Sequence, residues 1–376
     1  MDLRAAVIEA ARAAGASAVR ITSAAPNPAT AERFTASIER GDLANWPYDA
    51  RYARRASDPT ELLPGARSVV CIAVAYATPP VVRARGRGRV SNYAWSSDYH
   101  HRMKALLATI AARIDEIAGG VATRVACDTA PIAERAFAER AGLGWIGKHT
   151  NAIVPGIGSF VFLGEILTTL ALEPDVPLRK TCGACTRCVD VCPTQALRGD
   201  YTMDATRCIS DLTQRLDPIP VELRASIGDW VWGCDLCQDI CPPTQRGTYG
   251  SADFAPLDEE ARAPDLHELL ALRSGAFKRR FARTAVGWRG AAILRRNAAV
   301  ALGNGLDRAD VPALARSMCE DPHAGVRGHA AWALGHIGSP RAQRELRSAL
   351  ETEANSWVCA EIAAALEPAR TAGRSR

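Results

Sequence analysis

No stretch of this 376-residue sequence is both uncharged and apolar for long enough to cross a bilayer, so a membrane-spanning helix is not expected. The first twenty residues also lack the apolar core of a secretory signal, because Asp2, Arg4, Glu9 and Arg12 interrupt a helical pattern. A cytoplasmic location follows as the expectation. Two nucleotide signatures are missing: there is no Gly-x-Gly-x-x-Gly after a strand pattern and no P-loop. Neither a dinucleotide site of the Rossmann type nor NTP hydrolysis is therefore expected. A strong charge imbalance is absent too, since 46 Lys and Arg face 41 Asp and Glu. The excess is too small to name an acidic partner by itself. With 48% hydrophobic and 23% charged residues, the composition is that of a globular chain long enough for two or three domains.

Cysteine is what the sequence has. Eight of the 12 cysteines form two runs: Cys182-x2-Cys185-x2-Cys188-x3-Cys192-Pro193, and Cys208 followed by Cys234-x2-Cys237-x3-Cys241-Pro242. This is the spacing of a ferredoxin that holds two 4Fe-4S clusters, in which the fourth cysteine of each run crosses to the other cluster. One cluster is thus expected on Cys182, Cys185, Cys188 and Cys241, and the second on Cys192, Cys208, Cys234 and Cys237. Paired zinc sites or a disulfide framework fit less well, given the x3-Cys-Pro endings and the chain length. Cys71, Cys127, Cys319 and Cys359 sit among apolar residues and read as buried core.

The rest of the chain divides by pattern. Residues 1–175 alternate helix and strand signals: helix Leu3 to Ala14, strand Ser17 to Thr22, a buried strand within Arg67 to Ala77, and a helix from an Asp98 cap to Ile117, stopped at Gly119-Gly120. A strand over Thr123 to Cys127 delivers Asp128-Thr129-Ala130-Pro131, where Asp128 or Thr129 could cap a helix with Pro131 in its first turn. The last strand spans Ser159 to Leu170. The cysteine module occupies 176–245 with a helix near Ala205 to Leu216, and a linker and helical segment occupies 246–289. From 290 to 376 the pattern is helical and repeats: Arg296-Asn297-Ala298-Ala299-Val300-Ala301-Leu302-Gly303 returns as Arg327-Gly328-His329-Ala330-Ala331-Trp332-Ala333-Leu334-Gly335 and again, degenerate, from Val358. A period of roughly thirty-two residues belongs to helical-hairpin solenoids of the HEAT kind. Two basic stretches are candidate phosphate contacts: Arg83, Arg85, Arg87 and Arg89 in one loop, and Lys278, Arg279, Arg280, Arg283, Arg289, Arg295 and Arg296 where the solenoid begins.

One long motif resembles a known family. The run Asp128-Thr129-Ala130-Pro131-Ile132-Ala133-Glu134-Arg135, continuing Ala138-Glu139-Arg140-Ala141-Gly142-Leu143-Gly144-Trp145-Ile146-Gly147-Lys148-His149-Thr150-Asn151, is similar to the hallmark of the epoxyqueuosine reductases. Arg55-x2-Asp58-Pro59, Asp98-Tyr99-His100, Gly158-Ser159-Phe160, Cys208-Ile209-Ser210 and Trp288-Arg289-Gly290 support it in order along the chain.

The resemblance implies an α+β fold with a nitroreductase-like cobalamin-binding domain, an inserted two-cluster ferredoxin-like module and C-terminal HEAT-like repeats. It implies reduction of epoxyqueuosine to queuosine at the tRNA wobble position, with electrons passing from an unidentified donor through two clusters to cobalamin. Asp128 takes the place of the proton donor. Around the corrinoid it places Arg55, Ser91, Asp128, Asn151, Ser159, Leu163 and Ser210, and on the tRNA Lys148, Gln214, Arg289, Arg295 and Arg296. The Asp-x-His-x2-Gly run that supplies a lower histidine ligand to cobalt is absent, so His100, His101 and His149 are not expected to bind the metal. A monomer is expected. Two other readings are a reductive dehalogenase-like enzyme, which shares the cofactor pair, and a ferredoxin-type electron carrier with a solenoid docking arm, which leaves the Asp128 to Asn151 motif without a task.

Overall fold

The structure, a computed structural model, describes residues 2–80 and 82–367; the expected end of the repeat region past residue 367 lies outside them. The fold is α+β. Two compact units are formed, one from Met1–Pro80, Asn92–Cys208 and Asp235–Leu257, the other from Val81–Ser91, Ile209–Cys234 and Asp258–Arg376. In chain order the strands are β1 (Ala18–Ser23), β2 (Ser68–Ala75), β3 (Arg89–Val90), β4 (Thr123–Ala126), β5 (Trp145–Ile146), β6 (Ala152–Ile153), β7 (Val161–Thr168) and β8 (Trp230–Trp232).

In the first unit an antiparallel sheet runs β1-β2-β7-β4. Every residue of β2 is buried, as suits a central strand covered on both faces. Helix Tyr99–Ala118 covers one face because Met103, Leu107, Ile110 and Ile114 recur at helical spacing and are wholly buried. Asp98 caps its start, and Gly119 ends it at φ 72°. Gly164 lets this helix approach, since a Cβ there would stand 2.8 Å from Leu107 Cδ1. Helix Glu134–Arg140 covers the other face through Phe137 and Ala138.

Three local expectations are corrected. Neither Asp128 nor Thr129 caps a helix: the helix starts later, at Glu134, with Ala133 as a cap lacking any side-chain hydrogen bond. Thr129 N–H instead reaches back to the Cys127 carbonyl at 2.6 Å around Asp128 at φ 52°, a turn of the strained hand. The helix expected near Ala205 to Leu216 shrinks to Ile209–Leu212, and from its last residue onward the carbonyls of Leu212, Arg215 and Asp217 are taken by the Arg296 guanidinium. Cys71 and Cys127 are buried as core residues, whereas Cys319 is exposed and Cys359 lies between.

In the second unit β3 pairs with β8 in parallel. Helices Ala291–Gly305, Val311–Glu320, Ala324–Ile337, Pro340–Leu350 and Ser356–Leu366 stack as a solenoid. Gly303 and Gly335 mark equivalent positions: a Cβ on either would stand 2.7 or 2.6 Å from the Cβ of Ala333 or Ala365. The small residues of the repeat are thus the condition for close stacking.

Candidate active site and cluster cavity

Cys182, Cys185, Cys188 and Cys241 line one cavity of about 210 Å³ together with Trp145, His149, Ile153 and Pro242. Among the described residues no three His, Cys, Asp or Glu side chains stand close enough to hold a single metal ion; the four thiols ring a space instead. Cys185 N–H turns back on the Cys182 carbonyl, Cys188 sits in the short helix Arg187–Asp190, and Cys241 precedes the prolines that open Pro242–Gln245. The Cys241 loop is tied to the sheet. Ser159 N–H donates to Thr244 Oγ1 at 3.1 Å, and Gly158 offers no Cβ where one would stand 2.5 Å from Thr244 Cα. Burial pushes the Cys188 thiol up to about 11 and raises Cys241. Ala196 N–H donates to Cys192 Sγ at 3.3 Å. Cys192, Cys208 and Cys237 belong to the first unit, and Cys234 ends a segment of the second.

Asp128 stands on the wall of a second cavity, of about 830 Å³, lined also by Phe34, Tyr48, Tyr52, Arg135 and Lys180. Its Oδ2 lies 2.8 Å from His100 Nε2, whose Nδ1 lies 2.6 Å from Asp98 Oδ1. The His100 hydrogen bond, helped by the Tyr99 hydroxyl and opposed by desolvation, holds the Asp128 carboxyl below its ordinary range. The same hydrogen bond raises His100. At the back of the turn, Asp128 N–H donates to Glu134 Oε1 at 2.5 Å, and burial pushes Glu134 up to about 7. Glu165 of β7 is wholly buried with neither carboxyl oxygen hydrogen-bonded, and desolvation, with the Glu134 charge, raises it well above the ordinary carboxylate range. Sequence reasoning missed Glu134 and Glu165 as parts of this setting. A lone acid in the apolar run of β7 was the available signal for Glu165.

The other expected site residues sit on several elements. Arg55 is exposed near the end of helix Ala50–Ala56. Ser159 is buried just before β7, and Leu163 pairs with Ala73 in the sheet. Asn151 closes a loop by accepting from Gly147 N–H. Ser91, buried, donates its N–H to the Trp232 carbonyl, and Ser210 accepts from the Gln214 amide. Lys148 Nζ reaches the Gly183 carbonyl at 3.0 Å.

The basic stretches need correction. Arg295 forms a buried pair with Asp321 at 2.5 Å and donates to the Leu272 carbonyl. Arg296, 2% exposed, is spent on three carbonyls and Asn297 Oδ1, and burial lowers it to about 9. Neither guanidinium is presented to a phosphate. In the first loop Arg83 and Arg89 pair with Asp229, Arg85 with Asp307 and Arg87 with Glu260. Lys278, Arg279 and Arg283 remain exposed, and Arg289 stacks on the exposed Trp288 ring at 3.6 Å.

Comparison with known proteins identifies the cysteine module and the family. Residues 181–244 match the family model of a 4Fe-4S double cluster binding domain, which makes this an iron–sulfur protein. Residues 56–129 match epoxyqueuosine reductase QueG, DUF1730, and 290–367 match HEAT repeats. Across all of this chain and 98% of the relative, it is 34% identical to the epoxyqueuosine reductase of Bacillus subtilis (strain 168). It is 39% identical to that of Xanthomonas campestris pv. campestris over 77% of this chain and 83% of the relative. A crystal structure of epoxyqueuosine reductase with an epoxyqueuosine-modified tRNA stem loop superposes with a TM-score of 0.90 at 34% identity, covering 97% of this chain and 98% of the other. A Bacillus subtilis epoxyqueuosine reductase whose catalytic aspartate loop is swung out of the active site matches equally, with a TM-score of 0.90 at 34% identity over the same shares. The chain belongs to the epoxyqueuosine reductase family and is an oxidoreductase.

Proposed function

We propose that this protein reduces epoxyqueuosine to queuosine in the anticodon loop of tRNA, with Asp128 as proton donor. The observation that carries the reading is the Asp128–His100 pair on the wall of the 830 Å³ cavity. Removing an epoxide oxygen consumes two electrons and two protons and leaves an alkene and water, so a general acid must meet the departing oxygen. His100, whose proton affinity two carboxylates raise, is a proton source one hydrogen bond behind Asp128. Because that contact holds the Asp128 carboxyl low, the proton that Asp128 delivers is one that it takes from His100.

Two 4Fe-4S clusters, held by Cys182, Cys185, Cys188 and Cys241 and by Cys192, Cys208, Cys234 and Cys237, and a cobalamin would supply the electrons and the low-valent metal that this chemistry requires. The residues fit a corrinoid held at its rim and not through cobalt. Both nitrogens of His100 face carboxylates, and His149 Nδ1 accepts from Asn151 N–H, which leaves the ring proton of His149 on Nε2, so neither ring presents a free lone pair as a ligand. Arg55, Ser91, Asn151, Ser159, Leu163 and Ser210 are the rim contacts by family position. Lys148, Gln214, Arg289, Lys278, Arg279 and Arg283 are the candidate tRNA contacts. No described helix is long and apolar enough to cross a membrane, and we place the reaction in the cytoplasm, carried out by a monomer fed by a separate reductant.

The test is anaerobic: protein with both clusters, cobalamin, a strong reductant and epoxyqueuosine-bearing tRNA, read by nucleoside mass spectrometry. A product lighter by one oxygen, dependent on cobalamin, is expected. Asp128→Asn should keep both clusters and cobalamin yet lose at least about 100-fold in kcat, the scale of general-acid catalysis. An asparagine variant with full turnover would remove Asp128 from the role.

A further inference from the structure

Two N–H groups beside the four-thiol cavity have no partner. Trp145 Nε1 and His149 Nε2 are buried atoms without a hydrogen bond, and both residues line the cavity with Cys182, Cys185, Cys188 and Cys241. Their side chains are enclosed, with Trp145 8% and His149 2% exposed. An indole nitrogen only donates. The histidine proton is placed by the ring's other nitrogen. Asn151 N–H donates to Nδ1 at 3.2 Å, so Nδ1 holds a lone pair, the ring is neutral, and the hydrogen sits on Nε2.

A third N–H in this run already reaches sulfur: Lys148 N lies 3.4 Å from Cys182 Sγ. The loop that presents the three is tightly closed. Gly147 N–H bonds the Asn151 carbonyl, Thr150 takes φ 64°, and a Cβ on Gly147 would stand 2.9 Å from His149 Cε1. Buried donors without acceptors are rare because they forfeit their hydration. The cavity's thiol lining supplies the acceptors once iron and sulfide are present.

We propose that Trp145 and His149, together with the Lys148 amide, donate hydrogen bonds to the sulfur atoms of the cluster on Cys182, Cys185, Cys188 and Cys241 and raise its reduction potential. The inference rests on the ligand grouping proposed above. Reduction adds negative charge to the cluster, and donors aimed at its sulfurs stabilise the reduced form more than the oxidised one. The two residues are tuning groups for electron delivery and touch no substrate.

The test is a potentiometric titration of the intact protein with both clusters reconstituted, followed by EPR. Trp145→Phe and His149→Phe each remove an N–H and keep an aromatic ring. Each should lower the potential of one cluster while iron content stays level. The expected shift changes that cluster's reduced-to-oxidised ratio by a few-fold up to about tenfold, the latter being 59 mV for a one-electron couple. The shifts should add in the double variant, and His149→Gln, which restores a donor, should recover part of its shift. Cys185→Ala in the same titration identifies which signal belongs to the four thiols. Unchanged potentials at full iron content, or a shift confined to the other cluster, would overturn the inference. Loss of neither signal in Cys185→Ala would show that the ligand grouping is wrong, and the inference falls with it. If a variant loads iron poorly, pulsed EPR of the wild type in D2O decides: exchangeable N–H couplings at this cluster support the donors, and their absence rejects them.

Discussion

The Asp128 carboxylate and the His100 imidazole meet at 2.8 Å, with Asp98 holding the far side of the ring at 2.6 Å. Three side chains from a helix start and a strand end thereby form one charged line. Its middle member is positive when protonated, and both outer members are negative.

That line predicts a window of pH. His100 is raised above its ordinary 6.5, so its contribution to stability is complete below that value and is lost as pH rises through the raised one. Asp128 is lowered from 3.8, so its contribution is present above that value and is lost as pH falls through the lowered one. The difference in thermal midpoint between wild type and His100→Ala should therefore be largest from about pH 4 to pH 6.5 and shrink on either side. It should amount to no more than about 1 kcal/mol, because solvent screens a half-exposed carboxylate; Asp128 is 52% exposed. The same variant should lose roughly 10- to 100-fold in kcat through the missing proton source. A midpoint difference that is flat across pH would count against the pairing.

Arg296 and Arg279 should part company. Arg296→Met leaves the carbonyls of Leu212, Arg215 and Asp217 without donors, and chemical denaturation should report a loss of about 3 kcal/mol or more. Exposed Arg279 and Arg283 are free of that duty. Charge reversal at both should leave the denaturation midpoint within about 0.5 kcal/mol, raise KM for tRNA and flatten its dependence on salt. An unchanged KM and salt slope would clear this surface of any part in tRNA binding.

Gly158 joins the sheet to the Cys241 loop. It takes φ 98°, and a methyl group there would press on Thr244 backbone at 2.5 Å. Gly158→Ala should cost about 2–3 kcal/mol through backbone strain and overpacking. It should also lower the iron bound per protein, as measured colorimetrically, because Cys241 moves with Thr244. Full iron at an unaltered melting point would show that the two loops are independent.

Much of this was legible in residue order. Cysteine spacing is a local property, and the first three thiols of one run do share a cavity with the last of the other. The repeat was readable because a solenoid buries small residues at fixed intervals, as Gly303 and Gly335 do. The arginines misled for a physical reason. A cluster of cations looks like a solvated face until its acceptors are known, and those of Arg296 are carbonyls as far as 84 residues away. Backbone carbonyls leave no trace in composition. Asp128 was misjudged as a possible cap because a residue before Pro131 normally opens a helix there, whereas its partner His100 lies 28 residues upstream.

The grip of Arg296 also bears on how such proteins can be assembled from parts. The first repeat helix holds Arg296 and Asn297, and these two side chains finish the segment around residues 212–217 and receive it against β8 through the Thr213 and Val231 carbonyls. The array is thus a mould for a stretch of chain that lies between two of the cysteines. Recombination that exchanged the repeats as a cassette would have to carry a matching arginine and asparagine with it. A shortened chain ending before Ala291 would have to find other donors for the carbonyls of Leu212, Thr213, Arg215, Asp217 and Val231.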